Sequence, residues 1–589
     1  MAGKLDALPQ RSPALAGVGT GRPDCDAMTA VMDLADRYHA GWLAAHPFAA
    51  SQYGLPGHDA EVPDESEEGH ARRRSQVEQS LSEARALLAG GLEGDDELTA
   101  GCVVASAEGE LDGLDSALVE MTVTSMPFQG PASLLALASR TVLPDARAAG
   151  DYLTRLRHAG GWIDQHTERL RAGSAKGRLP VAPLVARAIS WAEAVLSDPV
   201  PAPLVAPTPP EGWGEAPRWL AERDLVAAEV VAPALARWAE GLRELLPRCR
   251  DAEHPGLVHL PGGDADYSRA IRVNTTLALT PEELHRRGLE EVARLEQRCL
   301  ELGAAIGLSD LGSVHRALRA SSAATDPSRA IAAAEAAVRR AEARMGEVFP
   351  PPPSPPCAVT PMPHAVAASG AAPHYSSPRL DGSRPGTYWF NLERPTAGSG
   401  WDLEGVAFHE AVPGHHLQLS RVQLLGSLPA FLRQRSYTVF AEGWGLYAEM
   451  LAEEIGLYSG PEALLGAMAN ALMRGARLVV DTGMHALGWS RAQALGYFVA
   501  HVPMPEGFLA DEIDRYIFWP GQALGYLTGK QRITALREQA RSGLGARFDL
   551  PGFHSAILDH GSLPMPVLDK AVSAWIGRGG GGARIVGER

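Results

Sequence analysis

Cysteine is scarce in this sequence. There are five in 589 residues, Cys25, Cys102, Cys249, Cys299 and Cys357, odd in number and never spaced as CxxC. That excludes a disulfide scaffold and a cysteine-rich zinc module, and it fits a reduced, cytoplasmic compartment. Positive charge is in deficit too: 54 Lys+Arg against 70 Asp+Glu give a formal net charge of −16. Such a chain repels phosphate backbones, so nucleic acid is not an expected partner. No uninterrupted apolar run approaches the roughly 18 residues that span a bilayer. The start, MAGKLDALPQRSPALAG, lacks the apolar core of a signal peptide. No membrane partner is expected.

What is present is an ordinary globular composition, 45% hydrophobic and 21% charged. Apolar residues recur at helical spacing and few stretches alternate with period two, so a mainly α-helical fold is expected. Residues 1–25 read as a flexible lead-in, 26–198 as an N-terminal helical region and 199–217, with seven prolines, as a stiff connector. Residues 218–576 read as a second helical region, and the glycine-rich 577–589 as a flexible tail. The sharpest helix start is Thr280-Pro281-Glu282-Glu283, a hydroxyl cap followed by proline at the first helical position and an acid three residues after the cap. FPPPPSPPC, from Phe349 to Cys357, reads as a surface loop, and a short β-favouring stretch lies between Gly386 and Leu392.

The chemistry concentrates in His409-Glu410-Ala-Val-Pro413-Gly414-His415-His416. Three of the chain's 19 histidines fall within eight residues, and a glutamate follows the first. Neutral imidazoles are good zinc ligands, and a neighbouring carboxylate can take a proton from an activated water. The spacing is not that of HExxH. On a straight helix, position i+6 is turned by roughly 120° and i+7 lies about 10 Å up the axis. Neither His415 nor His416 could then share a metal with His409. Pro413 removes a backbone donor and Gly414 permits unusual dihedrals, so the helix is expected to bulge at 411–414 and bring His415 back beside His409. A third ligand is expected from a following helix. SYTVFAEGWGLYAE carries Glu442 on an apolar face, where a carboxylate without a partner would be costly.

The motifs HEAVPGHHLQ, AEGWGLYAE, DGSRPGTYWFNL, DTGMHALGW and RYIFWPGQALGYLTGKQ, in this order, resemble the bacterial family catalogued as domain of unknown function 885. TTLALTPEELHRRGLEEV at 275–292 is similar as well. The HE…GHH segment looks like an expanded form of the HExxGH helix of thimet-type oligopeptidases and carboxypeptidase Taq. The resemblance implies a large multi-helix metallopeptidase-like fold, with a short β-sheet beside the zinc helix and a cleft between two helical halves. Matching the GH pair selects His415 over His416 as second ligand, and the later glutamate maps to Glu442. The longer gap between the histidines is the departure from those enzymes.

In related metallopeptidases a strand before the zinc helix pairs with the substrate backbone. That implies a substrate-binding role for Gly386, Tyr388 and the rest of 386–391, the alternative being an ordinary turn and edge strand. Arg384 could hold a substrate carboxylate with its planar fork. Arg477, Asp481 and His485 sit at four-residue steps. They read either as a surface ion-pair ladder or as a site in which Asp481 orients His485 toward a developing oxyanion. Tyr526 is the competing oxyanion donor, since tyrosine takes this role in similar zinc peptidases, and Tyr375 is a third. Glu449, one heptad after Glu442, reads as either support for a zinc histidine or a surface acid.

The expectation is a Zn2+ hydrolase with His409, His415 and Glu442 as ligands and Glu410 as general base. His485 or Tyr526 would stabilise the oxyanion, and the partner would be a short peptide. The rivals are an amidase acting on a small non-peptide amide with the same machinery, and a non-catalytic metal-binding protein. The latter has no need of Glu410.

Overall fold

The computed structural model describes residues 25–323, 326–350, 354–362, 373–379, 384–391, 400–426 and 428–581. The lead-in up to residue 24, the tail from 582 and Asp381–Ser383 of the DGSRPG motif lie outside the described residues. The fold is mainly α-helical, as expected, with one three-stranded sheet among the described residues.

Three N-terminal helices, Cys25–Ala45, Glu67–Ala89 and Gly94–Ser116, pack on one another and on the second half of the chain. A single hydrophobic cluster joins Leu34, Tyr38 and Val77 of these helices to Phe408, Trp444 and Phe553. A second cluster runs from Val123 to Leu245 and draws on both sides of the proline-rich 199–217. Within that segment Leu204 is buried, and its carbonyl accepts a hydrogen bond from Tyr152 Oη.

Helix Pro281–Ala305 starts as its sequence dictates, with Thr280 Oγ1 accepting from the Glu283 amide. Its stripe of Leu284, Gly288, Val292, Leu295, Cys299 and Leu302 is buried. This face lies along the central helix, Pro461–His485. The crossing is close because it is made of glycine: a Cβ on Gly288 would come within 2.8 Å of Val479 and 2.9 Å of Leu478.

The central helix is long and apolar enough to cross a membrane by length and composition, with a mean hydropathy of 1.3 over its best window. However, 83% of that window is buried inside the protein. Arg477, Asp481 and His485 are buried with partners, which corrects their surface-ladder reading. Arg477 Nε donates to Tyr516 Oη and Nη2 to Glu512, both at 2.8 Å. Asp481 accepts from Tyr267 Oη at 2.6 Å and from the Gly521 amide at 3.2 Å. His485 is fully buried; Nδ1 accepts from the Leu257 amide at 3.2 Å, so Nε2 donates to the Tyr516 carbonyl at 3.0 Å. With both ring nitrogens engaged by the fold, His485 is not an oxyanion donor. Asp481 does not orient it either. The alignment with Asp481 misled because four-residue spacing fixes a shared face and not what that face meets.

The sheet order is β1 (Ala358–Pro361), β3 (Thr387–Phe390), β2 (His374–Ser376), with β3 parallel to β1 and antiparallel to β2. The strand expected to receive substrate is therefore the middle one. Its backbone is paired on both sides, so it cannot add a substrate strand. Tyr388, expected to contact substrate, is fully buried in the core.

Burial drives the acidity of the central helix in opposite directions. It pushes His485 down to about 4 and Asp481 up to about 7, the latter against the pull of Tyr267 and the Gly521 amide. Unfolded histidine titrates near 6.5 and unfolded aspartate near 3.9. His485 thus contributes stability that is present above about pH 6.5 and lost as pH falls toward 4. Asp481 contributes stability that is present below about pH 3.9 and lost as pH rises toward 7. Thermal midpoints between about pH 5 and about pH 8 test both signs. Asp481→Asn should gain on the parent as pH rises, and His485→Gln should gain on it as pH falls. A pH-independent offset in both variants would reject the assignment.

Candidate metal centre

The histidine helix, Leu403–Glu410, ends at Glu410 and a new helix begins at His415, running to Leu424. The expected bulge at 411–414 is thus a full break. Ala411 sits at φ −101°, ψ −104° and Gly414 at φ −78°, ψ −130°. Gly414 is required there because a Cβ would fall 1.9 Å from the His409 carbonyl. The Pro413 carbonyl, released from helical bonding, accepts from Trp444 Nε1 at 2.9 Å.

The break folds His415 back beside His409, with ring centroids 4.7 Å apart and planes at 82°. Helix Thr438–Glu454 brings Glu442 to the pair. Its Oε2 lies 3.4 Å from His409 Nε2 and 3.6 Å from His415 Nε2. For bonds of about 2.0–2.1 Å, two ligands of a tetrahedral zinc are about 3.3–3.4 Å apart. The three donors therefore have the separation and chemistry that a zinc ion takes. A ligand oxygen of Glu410 also lies within 4.8 Å of both histidines. It is the more distant carboxylate, and its Oε2 accepts from the Tyr375 amide of β2 at 2.9 Å.

Packing fixes the rings. A Cβ on Gly445 would come within 2.5 Å of His409 Cε1, so the imidazole lies on bare backbone. His409 Nδ1 bonds Glu449 Oε1 at 2.8 Å, which turns Nε2 toward Glu442. Glu449 is buried, so of its two readings the structure selects support of His409 over surface acid. Burial opposes charge on His409, yet Glu442 and Glu449 outweigh it and hold the imidazole up at about 9. Burial likewise opposes charge on Glu442, yet His409 and His415 hold it well below the usual carboxylate range. The cluster is thus electrostatically matched: two imidazoles and a carboxylate around a point suited to a cation.

His416 is elsewhere. Its Nε2 donates to the Pro355 carbonyl at 2.6 Å, and its Nδ1 lies 3.1 Å from Tyr375 Oη and 3.2 Å from Ser420 Oγ. Tyr375 Oη also reaches Ser420 Oγ at 3.3 Å, so this hydroxyl serves His416 and not the His409 cluster. Gly386 lies under that pair, where a Cβ would meet Tyr375 Oη at 2.4 Å and His416 Nδ1 at 2.6 Å. Arg384 Nη2 donates to the Ser377 carbonyl at 2.9 Å, so part of its fork holds the chain. Tyr526 is near Glu442, whose charge adds to burial in raising its hydroxyl pKa. Its ring lies under the Arg477 guanidinium at 4.3 Å. Of the three tyrosine and histidine candidates for the oxyanion, Tyr526 is the one beside the donor set.

Sequence reasoning missed the Tyr375 amide on Glu410 and the Arg477 stack on Tyr526. The first depends on strand pairing, which short strands do not announce. The second was hidden by reading Arg477 as a rung of a ladder. A cavity of about 1480 Å³ is lined by none of the His409, His415 or Glu442 side chains.

Together these features define a large helical protein with a partly buried two-histidine, one-carboxylate donor set and a second glutamate beside it. The chain belongs to the family described as bacterial protein of unknown function (DUF885), which it matches over residues 47–572. It is similar to two putative lipoproteins of solved structure. The one from Colwellia psychrerythraea is 27% identical with a TM-score of 0.84, covering 93% of this chain and 99% of that one. The other, of unknown function, from Shewanella oneidensis, is 16% identical with a TM-score of 0.71, covering 92% and 99%, and speaks to the fold alone. No curated protein matches the chain.

The two adjacent histidines differ in surroundings, and metal content separates them. After dialysis with zinc, His415→Ala should retain far less metal than the parent by elemental analysis, whereas His416→Ala should stay near one zinc per chain. The reverse pattern would mean that the wrong imidazole has been assigned to the donor set.

Proposed function

We propose that this chain is a zinc-dependent hydrolase that cleaves the amide bonds of short peptides. The observation that carries the reading is Glu442 Oε2 set 3.4 and 3.6 Å from the Nε2 atoms of His409 and His415, with Glu410 beside them. The likeness of HE…GHH to the zinc helix of thimet-type oligopeptidases and carboxypeptidase Taq supports it.

Zinc, when bound, supplies a Lewis acid that acidifies water and polarises a carbonyl. The chain's own residues do the rest. His409, His415 and Glu442 hold the ion, and Glu449 keeps His409 in the tautomer that offers Nε2. Glu410 has one oxygen fixed by the Tyr375 amide, so the carboxylate is oriented before substrate arrives. Its role is to take the proton of the attacking water and return it to the leaving amine. Tyr526, held under Arg477, is the hydroxyl proposed to donate to the oxyanion.

Two variants separate this reading from simple metal binding. Glu410→Gln keeps shape but cannot accept a proton, so kcat on a cleaved peptide should fall by about 10²–10⁴ with zinc still bound. Glu442→Ala should lose the metal as well as activity. The substrate is sought first among unblocked short peptides, with acylated amines as the comparison panel. A Glu410→Gln protein with parental turnover would overturn the mechanism.

A cytoplasmic setting is the companion proposal, supported by Cys102, Cys249, Cys299 and Cys357 all being free. Cell fractionation checks it: recovery in the soluble cytoplasmic fraction is expected, and recovery with the envelope would overturn it.

A further inference from the structure

The cavity of about 1480 Å³ lies between the N-terminal helices and the start of the glutamate helix, Thr438–Glu454. It is larger than the roughly 300–1,000 Å³ of common ligand pockets. Its wall carries several cations, and among the described residues all but one of the arginines and lysines are paired with carboxylates. Arg72 meets Asp64, Arg85 meets Glu108, Arg272 meets Asp112 and Lys570 meets Glu97. Arg73 holds Glu110 through two bonds, at 2.6 and 2.8 Å.

Arg435 is the exception. Among the described residues its side chain makes no hydrogen bond or ion pair, and its Nε is buried without a partner. The guanidinium instead stacks on Trp42 at 4.4 Å. The groups that feel its charge include Tyr38, His39, His46, Tyr53 and Tyr437, none of which is an anion near neutral pH. Glu110, on the same cavity wall, is already closed on Arg73. A partly buried guanidinium with unused donors is costly to keep, and a wall of this kind has a use for it if an anion docks there.

A second feature points the same way. Ser436, Tyr437 and Thr438 line the cavity where the glutamate helix begins, and no side chain caps that helix. The positive end of its dipole therefore adds to Arg435. Trp42, Trp519, Val104 and Leu277 supply flat and apolar surface around the charge.

We propose that Arg435, stacked on Trp42, is the anchor of a binding site for an organic carboxylate whose apolar body packs on the cavity wall. The site shares the glutamate helix with the metal centre but none of its ligands. It stands without the hydrolase reading.

The test uses the full chain and a probe with no bond for a hydrolase to cut. Cinnamate and its uncharged analogue cinnamyl alcohol are titrated by calorimetry, with Trp42 quenching identified by comparison with Trp42→Phe. Cinnamate should bind at least about tenfold more tightly than the alcohol, the scale of one charge-assisted contact. Arg435→Gln should abolish that preference, and Arg435→Lys should keep part of it. The lysine variant also keeps the test readable if the glutamine variant fails to fold. Equal binding of the two probes, no binding of either, or a preference that survives in Arg435→Gln would each overturn the proposal. Displacement of cinnamate by inorganic phosphate at lower concentration would overturn the carboxylate assignment.

Discussion

The imidazole of His409 rests on the bare backbone of Gly445, and much of the structure follows from that contact. No other residue type allows the two helices to come this close with the ring between them. The ring's two nitrogens then face opposite ways along the same helix, one to Glu442 and one to Glu449. The two acids are seven residues apart, two turns on one face, with Gly445 between them. The glutamate helix is in turn pressed on helix Gly525–Leu544, where a Cβ on Gly443 would fall 2.5 Å from the Gly529 backbone, so only glycine lets them approach. That second helix delivers Tyr526 to the same place. Two glycine contacts thus set the depth of the site.

Burying two histidines and two acids together is tolerable only because their charges match. A lone carboxylate at the position of Glu442 would be pushed toward its neutral form; between two imidazoles it is held ionised. The same matching explains the raised acidity range of His409. It also distinguishes this cluster from Asp481 and His485, which lie deeper and answer to burial first. Perturbed titration therefore marks two kinds of place in this protein. In one, charges converge on a point with room for a cation. In the other, the groups are held by the tyrosine, backbone amides and carbonyl of neighbouring helices.

Much of this was legible in the sequence, and the failures share a cause. Thr280-Pro281 marks a helix start because capping is local chemistry. Pro413-Gly414 marks a chain break, and the break rescues a histidine spacing that no straight helix could use. Glu442 and Glu449 are legible as a pair because helical periodicity is local as well. By contrast, 386–391 was placed at a sheet edge although β3 is central, because strand order depends on which segments return to it. His485 looked catalytic because its helix face was known but not what covers it. Arg435 sits in FLRQRSYT, where nothing marks it among other arginines. That it makes no ion pair among the described residues is a tertiary fact.

The metal centre and the Arg435 cavity meet at one element. Thr438, on the cavity wall, precedes Glu442 by four residues, one turn of the same helix. The first turn of that helix has no side-chain cap. A ligand bound there would order the turn from which the carboxylate of Glu442 projects. The N-terminal helices supply Trp42 and most of the cavity wall while contributing nothing to the donor set. Their packing on the second half of the chain, through Tyr38 and Phe431 at 5.6 Å, ties the cavity wall and the helices of the donor set into one hydrophobic core. Under the proposed Arg435 site, the N-terminal region takes part in recognition, which its distance in sequence from the HE…GHH segment conceals.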